Sequence, residues 1–157
     1  MTGKQYADLI AAYLVANYGD RGIEVYREVA VGKSIIGKNR KIDILVVLGE
    51  QSLGIECKYQ QTQGTTDEKI PYALDDVEAM WTPAVLTYAG TGWSEGVLHM
   101  LQGSRFAVAC WPDPANLKRT KYTLELDHIV ASVFGWWDIV APPRRRFNLD
   151  AWREANA

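Results

Sequence analysis

Charge placed inside the most apolar strands of a chain restricts its fold more than any other feature, and residues 41–60, KIDILVVLGEQSLGIECKYQ, carry three such charges. Two apolar runs, Ile42 to Leu48 and Leu53 to Tyr59, flank the polar segment Gly49-Glu50-Gln51-Ser52, the pattern of a β-hairpin. Asp43 interrupts the first run, and Glu56 and Lys58 interrupt the second. Strands of this composition are buried on at least one face. A buried charge costs free energy unless it is paired or holds a metal.

Residues on a strand alternate faces, so Glu56 and Lys58 share one. Asp43 is placed by register. A two-residue loop at Gly49-Glu50 sets Leu48 opposite Gln51 and Asp43 opposite Glu56; a four-residue loop, 49–52, sets Asp43 opposite Lys58. Both bring the three charges together, whereas a three-residue loop sends Asp43 to the face of Cys57. Directly opposed residues have Cβ atoms roughly 5 Å apart, close enough for two carboxylates to share one cation. Aspartate and glutamate are hard oxygen ligands of the kind that magnesium or manganese prefers.

Asp43, followed after a hairpin by Glu56-Cys57-Lys58, resembles the motif of the PD-(D/E)xK nuclease superfamily, the fold of many restriction endonucleases, Holliday-junction resolvases and phage exonucleases. Ile42 stands where that motif has its proline. The resemblance implies an α/β fold with a central mixed β-sheet flanked by helices, a restriction endonuclease-like core. It implies a magnesium-dependent deoxyribonuclease, an endonuclease, with manganese as a substitute ion. Asp43, Glu56 and the backbone carbonyl of Cys57 would hold the metal. Lys58 would position the attacking water and stabilise the phosphorane. Many superfamily members add a glutamate from the first helix; here that helix contains only Asp8.

The whole chain, at 157 residues, reads as one domain, with a Trp- and Arg-rich segment from about residue 129. No run of 18 or more apolar residues appears, and Met1 to Leu14 lacks a signal peptide's apolar core, so a cytoplasmic protein without a membrane partner is expected. Two cysteines, Cys57 and Cys110, are too few for a disulfide scaffold. A net charge of −2 does not advertise a nucleic-acid binder, yet Lys33, Lys38, Arg40 and Lys41 form a basic stretch with no acid between them, and Arg144, Arg145 and Arg146 a second. Both are candidate DNA contacts, set against the commoner role of solvated surface.

Along the chain, Tyr6, Leu9, Ile10, Tyr13 and Leu14 predict a helix over Gly3 to Tyr18, and alternation over Ile23 to Val31 predicts a first strand. Glu28 lies on that strand's polar face, expected in solvent and a candidate for the site only if the face turns inward. Gln60 shares the face of Glu56 and Lys58 and is a candidate supporting residue or phosphate contact. Thr65-Thr66-Asp67-Glu68 has the form of a capping box opening a helix whose first turn holds Lys69, a further candidate phosphate contact, and whose run Pro71 breaks or restarts. Pro83 to Tyr88 and Phe106 to Trp111 read as strands either side of a helix, Ser94 to Leu101, so these late strands should run parallel. Leu117 to Leu126 reads as a further strand. Two other functions compete with the nuclease: a non-catalytic nucleic-acid-binding or assembly module that keeps the fold, and an enzyme acting on RNA. A buried salt bridge between Lys58 and one of the carboxylates competes with any chemistry at all. Cutting two strands with one small domain further suggests a homodimer.

Overall fold

Helix formation at the start of the chain follows directly from its pattern. The computed structural model describes residues 1–33, 39–141 and 146–157, with the side chains at 33 and 39 outside the description. Helix α1, Gly3–Tyr18, opens on a capping box in which Thr2 accepts from the Gln5 amide, and buries Tyr6, Ile10, Tyr13 and Leu14. Three strands follow: β1, Glu24–Lys33; β2, Asn39–Leu48; and β3, Gln51–Tyr59. Helix α2, Thr66–Glu78, leads to β4, Ala84–Ala89; helix α3, Glu95–Gly103, leads to β5, Ala107–Ala109. Helix α4, Leu124–Phe134, and the short α5, Leu149–Ala155, complete the order.

The five strands form one sheet in the order β1-β2-β3-β4-β5. β1, β2 and β3 run antiparallel, and β4 and β5 join parallel, so the sheet is mixed as expected. The turn is apt for parallel pairing, since each crossover from β3 to β4 and from β4 to β5 is a helix.

Each face of the sheet has its own core. Ile44, Val46, Leu53, Ile55, Cys57 and Val85 pack under α1 and α4 on one side. Leu86, Tyr88 and Ala107 pack under α2 and α3 on the other, against Ile70, Ala73, Val77 and Leu101. Buried inside the first core, the Asp127 carboxylate of α4 accepts from Tyr13 Oη at 2.5 Å, Tyr18 Oη at 2.6 Å and Thr123 Oγ1 at 3.0 Å. Arg119 adds a guanidinium at 3.6 Å, so one carboxylate ties α4 to α1. Phe134 and Trp136 also pack into this core, with Arg21 over the Trp136 ring, which accounts for these two aromatic residues of the C-terminal segment by packing, whereas Trp137, Phe147 and Trp152 are exposed.

Three expectations change. Leu117 to Leu126 is not a strand: Leu117 has a φ of 56°, turns follow, and α4 begins at Leu124. Of its apolar residues Leu126 serves a helix face, recurring with Val130 and Ala131 at helical spacing, while Tyr122 and Leu124 are exposed. The capping box at α2 does not form, since Thr65 is itself helical and its side chain makes no capping bond. Pro71 neither breaks nor restarts α2, which runs through it at the loss of one backbone bond. No helix among the described residues is long and apolar enough to cross a membrane.

Candidate active site

Where β2 and β3 part company, the three charges meet. Pairing runs from Leu48 opposite Gln51 to Ile44 opposite Ile55, the register of a two-residue turn at Gly49-Glu50, with Gly49 at φ 59°. Continued one step, this register sets Asp43 level with Glu56. Ile44 belongs to the core under α1, yet two residues earlier Ile42 lies on the opposite face, where a Cβ on Gly54 would meet its Cδ1 at 3.2 Å beside Ala84. β2 therefore changes face at Asp43. The Asp43 carboxylate takes the role that a backbone carbonyl has in the regular ladder, with Oδ2 accepting from the Cys57 amide at 2.8 Å. Even-numbered residues of β3 turn their amides to β4, as Gly54 and Gln60 do, so Cys57 presents its backbone to the β2 side, at this gap.

Glu56 is buried, and its partner is not Lys58 but Arg40 of β2, whose Nη2 donates to Glu56 Oε2. Arg40 Nη1 also donates to Asp76 Oδ2 of α2 at 3.2 Å. The Lys58 ammonium is half-buried and makes no hydrogen bond or ion pair with any described residue, although its charge is felt by Glu56. Behind Asp43, Arg27 donates to the Asp43 backbone carbonyl and to Asp8 Oδ1 at 2.9 Å. Asp8, the acid of α1, thus meets Arg27 rather than Glu56.

The other predicted residues are not all brought here. Gln60 is buried and its Nε2 donates to Asp67 Oδ1 and to Gly92 O, both at 2.9 Å. Its donors are thus engaged, and the amide oxygen left without a partner is an acceptor, the wrong polarity for a phosphate. Gln60 instead pins the loop after β3 to the loop after β4, an approach so close that a Cβ on Gly90, at φ 101°, would lie 2.2 Å from the Gln60 carbonyl oxygen. Arg40 is not a surface DNA contact, because its guanidinium is turned in towards Glu56 and Asp76. Glu28 is exposed, at a φ of 54°. Lys41, Lys69 and Arg146 are exposed. The Lys33 side chain, Lys38, Arg144 and Arg145 lie outside the described residues. Asp76 and Arg27 were missed. Asp76 did leave a signal: it falls beside the buried stripe Ile70, Ala73 and Val77, an acid at a core-facing helix position.

Burial pushes the Glu56 carboxyl up from its ordinary 4.5 to about 8, and the hydrogen bond and charge of Asp43 push the same way. Lys58 and Arg40 pull down, but less. The site is therefore short of positive charge even with two cations beside it. Two convergent carboxylates and a backbone carbonyl at the gap are a donor set that fits a divalent cation completed by water, and among the described residues no cluster of three or more histidines, cysteines or acids supplies a closed cage.

A pH effect follows from the raised value. Between about 4.5 and about 8 the folded protein holds one proton shared by the Glu56 and Asp43 carboxyls that the unfolded chain releases, which leaves the pair with a net negative charge beside Arg40. Folding stability contributed by this group is thus greatest below 4.5 and declines as pH rises towards about 8, by on the order of a few kcal/mol. In EDTA the wild-type melting temperature should fall across that window relative to Glu56→Gln; parallel curves for the two proteins would refute the assignment. Added divalent cation should offset the fall, since its binding expels the proton.

A solved crystal structure of a protein of unknown function aligns over 64% of this chain and 54% of its own, at 17% identity and a TM-score of 0.40, a likeness that carries no argument. The chain thus spans about half the length of that neighbour. No curated protein matches. A family model described as the PD-(D/E)XK nuclease superfamily domain matches residues 2–137, which include α1, the whole sheet and α4. With its five-stranded mixed sheet and the Asp43, Glu56 and Lys58 positions on the diverging hairpin, this chain belongs to the PD-(D/E)XK nuclease superfamily.

Proposed function

We propose that the protein is a magnesium-dependent endonuclease acting on DNA, with Asp43, Glu56 and the Cys57 carbonyl as the metal-binding groups and Lys58 as the catalytic cation. The observation that carries this reading is the Lys58 ammonium, which has no ion-pair partner among the described residues: Glu56 is committed to Arg40 instead of forming the salt bridge that would have given Lys58 a purely structural role. A bound divalent cation would supply Lewis-acid charge to the scissile phosphate. Lys58 orients the attacking water and stabilises charge developing on the phosphate oxygens. Asp43 is held by the Cys57 amide and, through its backbone, by Arg27, so its carboxylate enters the reaction already oriented. Cleavage of both strands of a duplex would need two such sites, which a homodimer supplies.

The Arg40–Glu56 pair supports the second reading, a binding module that keeps the fold without chemistry, because it satisfies a carboxylate that a metal would use. Labelled linear duplex, single-stranded, nicked and branched DNA, with RNA counterparts, incubated with magnesium, manganese or EDTA, separates the two. The nuclease gives metal-dependent cutting that Glu56→Ala removes. Binding without cutting by either protein leaves the module, and preferential cutting of RNA overturns the choice of DNA.

A further inference from the structure

Glu56, a ligand of the proposed divalent cation, is bound in the structure by an arginine. We propose that Arg40, anchored by Asp76, is a resident counter-ion on Glu56, so that a divalent cation gains this carboxylate only as the Arg40–Glu56 pair opens. The inference rests on the metal-dependent reading of the site.

Arg40 leaves β2 next to the point where that strand changes face, and reaches across to two carboxylates on different elements, Glu56 of β3 and Asp76 of α2. All three side chains are withdrawn from solvent, at 15%, 7% and 11% exposure. A guanidinium desolvated to this degree is held by its anions, and would be costly to bury without them. The holding is incomplete: Arg40 Nε is buried with no acceptor among the described residues. The fork is also divided, Nη2 to Glu56 and Nη1 to Asp76, so one carboxyl can be released while the other still holds the guanidinium. Asp76 gives the exchange a direction. The guanidinium also donates to Asp76 at 3.2 Å, so a cation that took Glu56 would leave it on the α2 side of the site rather than expel it into water. Asp76 acts through Arg40 and is a positioning residue, not a metal ligand.

Plain charge repulsion between Arg40 and a cation would also weaken binding, and lysine distinguishes the two causes. Arg40→Lys keeps the unit charge but lacks the planar fork needed to bridge two carboxylates. The experiment is titration of the metal-free protein with Mn2+ at fixed pH, with free ion followed by electron paramagnetic resonance, for wild type, Arg40→Lys, Arg40→Gln, Asp76→Asn and the Arg40→Gln/Asp76→Asn double variant. Arg40→Gln should bind Mn2+ about tenfold tighter, within the ordinary range of coupling between two occupants of one group. Arg40→Lys should move in the same direction. Asp76→Asn, which leaves the guanidinium with Glu56 alone, should bind more weakly, and this loss should vanish in the double variant. Wild-type affinity in Arg40→Lys overturns the proposal, as does an Asp76→Asn loss that persists in the Arg40→Gln background. Should the variants fail to fold, wild-type protein labelled with 15N gives the same answer: the Arg40 Nε–H resonance moves with Mg2+ at the midpoint of cation binding, and a resonance unmoved at saturation overturns the exchange. Failure of wild type to bind either ion removes the metal-dependent reading and this inference with it, whereas wild-type binding with an indifferent Arg40→Lys removes this inference alone.

Discussion

Lys58→Ala is expected to lower phosphodiester cleavage by about 10²- to 10⁴-fold, the range that one positioned proton-transfer or charge-stabilising group commonly supplies. The fold should survive, and the reason is local. Lys58 is half-buried and has no ion-pair partner among the described residues, so its truncation strands no buried charge. Glu56 keeps Arg40, and Asp43 keeps the Cys57 amide. Urea unfolding and Mn2+ titration of the variant, run beside the cleavage assay, separate chemistry from architecture. A variant that is folded, binds the ion and cuts at the wild-type rate would remove Lys58 from the mechanism. A variant that does not fold would mean that the lysine is structural after all.

The largest stability effect is expected on the other side of the sheet. Asp127→Ala removes the acceptor shared by Tyr13, Tyr18 and Thr123 and the anion facing Arg119. Breaking a buried, fully engaged group of this kind costs about 3–5 kcal/mol, a large part of the stability of an ordinary domain. Burial already raises both tyrosine pKa values, and their bonds to Asp127 raise them further, so neither hydroxyl can relieve the loss by ionising near neutral pH. Asp127→Asn keeps one carbonyl acceptor and should lose less. Denaturant midpoints with unchanged slopes would measure both. A loss under about 1 kcal/mol for the alanine variant would show that the network is dispensable. The site lies across the sheet under α2, so the fraction that remains folded should cut normally.

The chain order of these elements was legible because each rests on a local pattern. Gly3–Tyr18 repeats its apolar residues at helical spacing, and Ser94 caps α3 through the Val97 amide. The Asp43, Glu56 and Lys58 positions were legible because a charge inside an apolar strand is conspicuous. Local pattern failed where two structures satisfy the same letters. Leu117 to Leu126 alternates well enough for a strand, but its last residues continue into α4 at a spacing that only the later core positions reveal. Thr65 has the right neighbour for a capping box, yet its own backbone is helical and cannot offer the cap.

Sequence alone determined the mixed α/β architecture and which strands would carry the charges, since periodicity and burial are properties of neighbouring residues. Who pairs with whom was decided only in three dimensions. Arg40 read as part of a basic surface run, but the change of face at Asp43 carries it inward to Glu56 and Asp76, which lie 16 and 36 residues away. Gln60 read as a supporting residue or a phosphate contact, and its two amide donors are engaged by Asp67 and by the loop after β4, 7 and 32 residues on. Ion pairs and hydrogen bonds are set by distance in space, and contacts between strands and helices so far apart in the chain leave no periodic trace in the sequence.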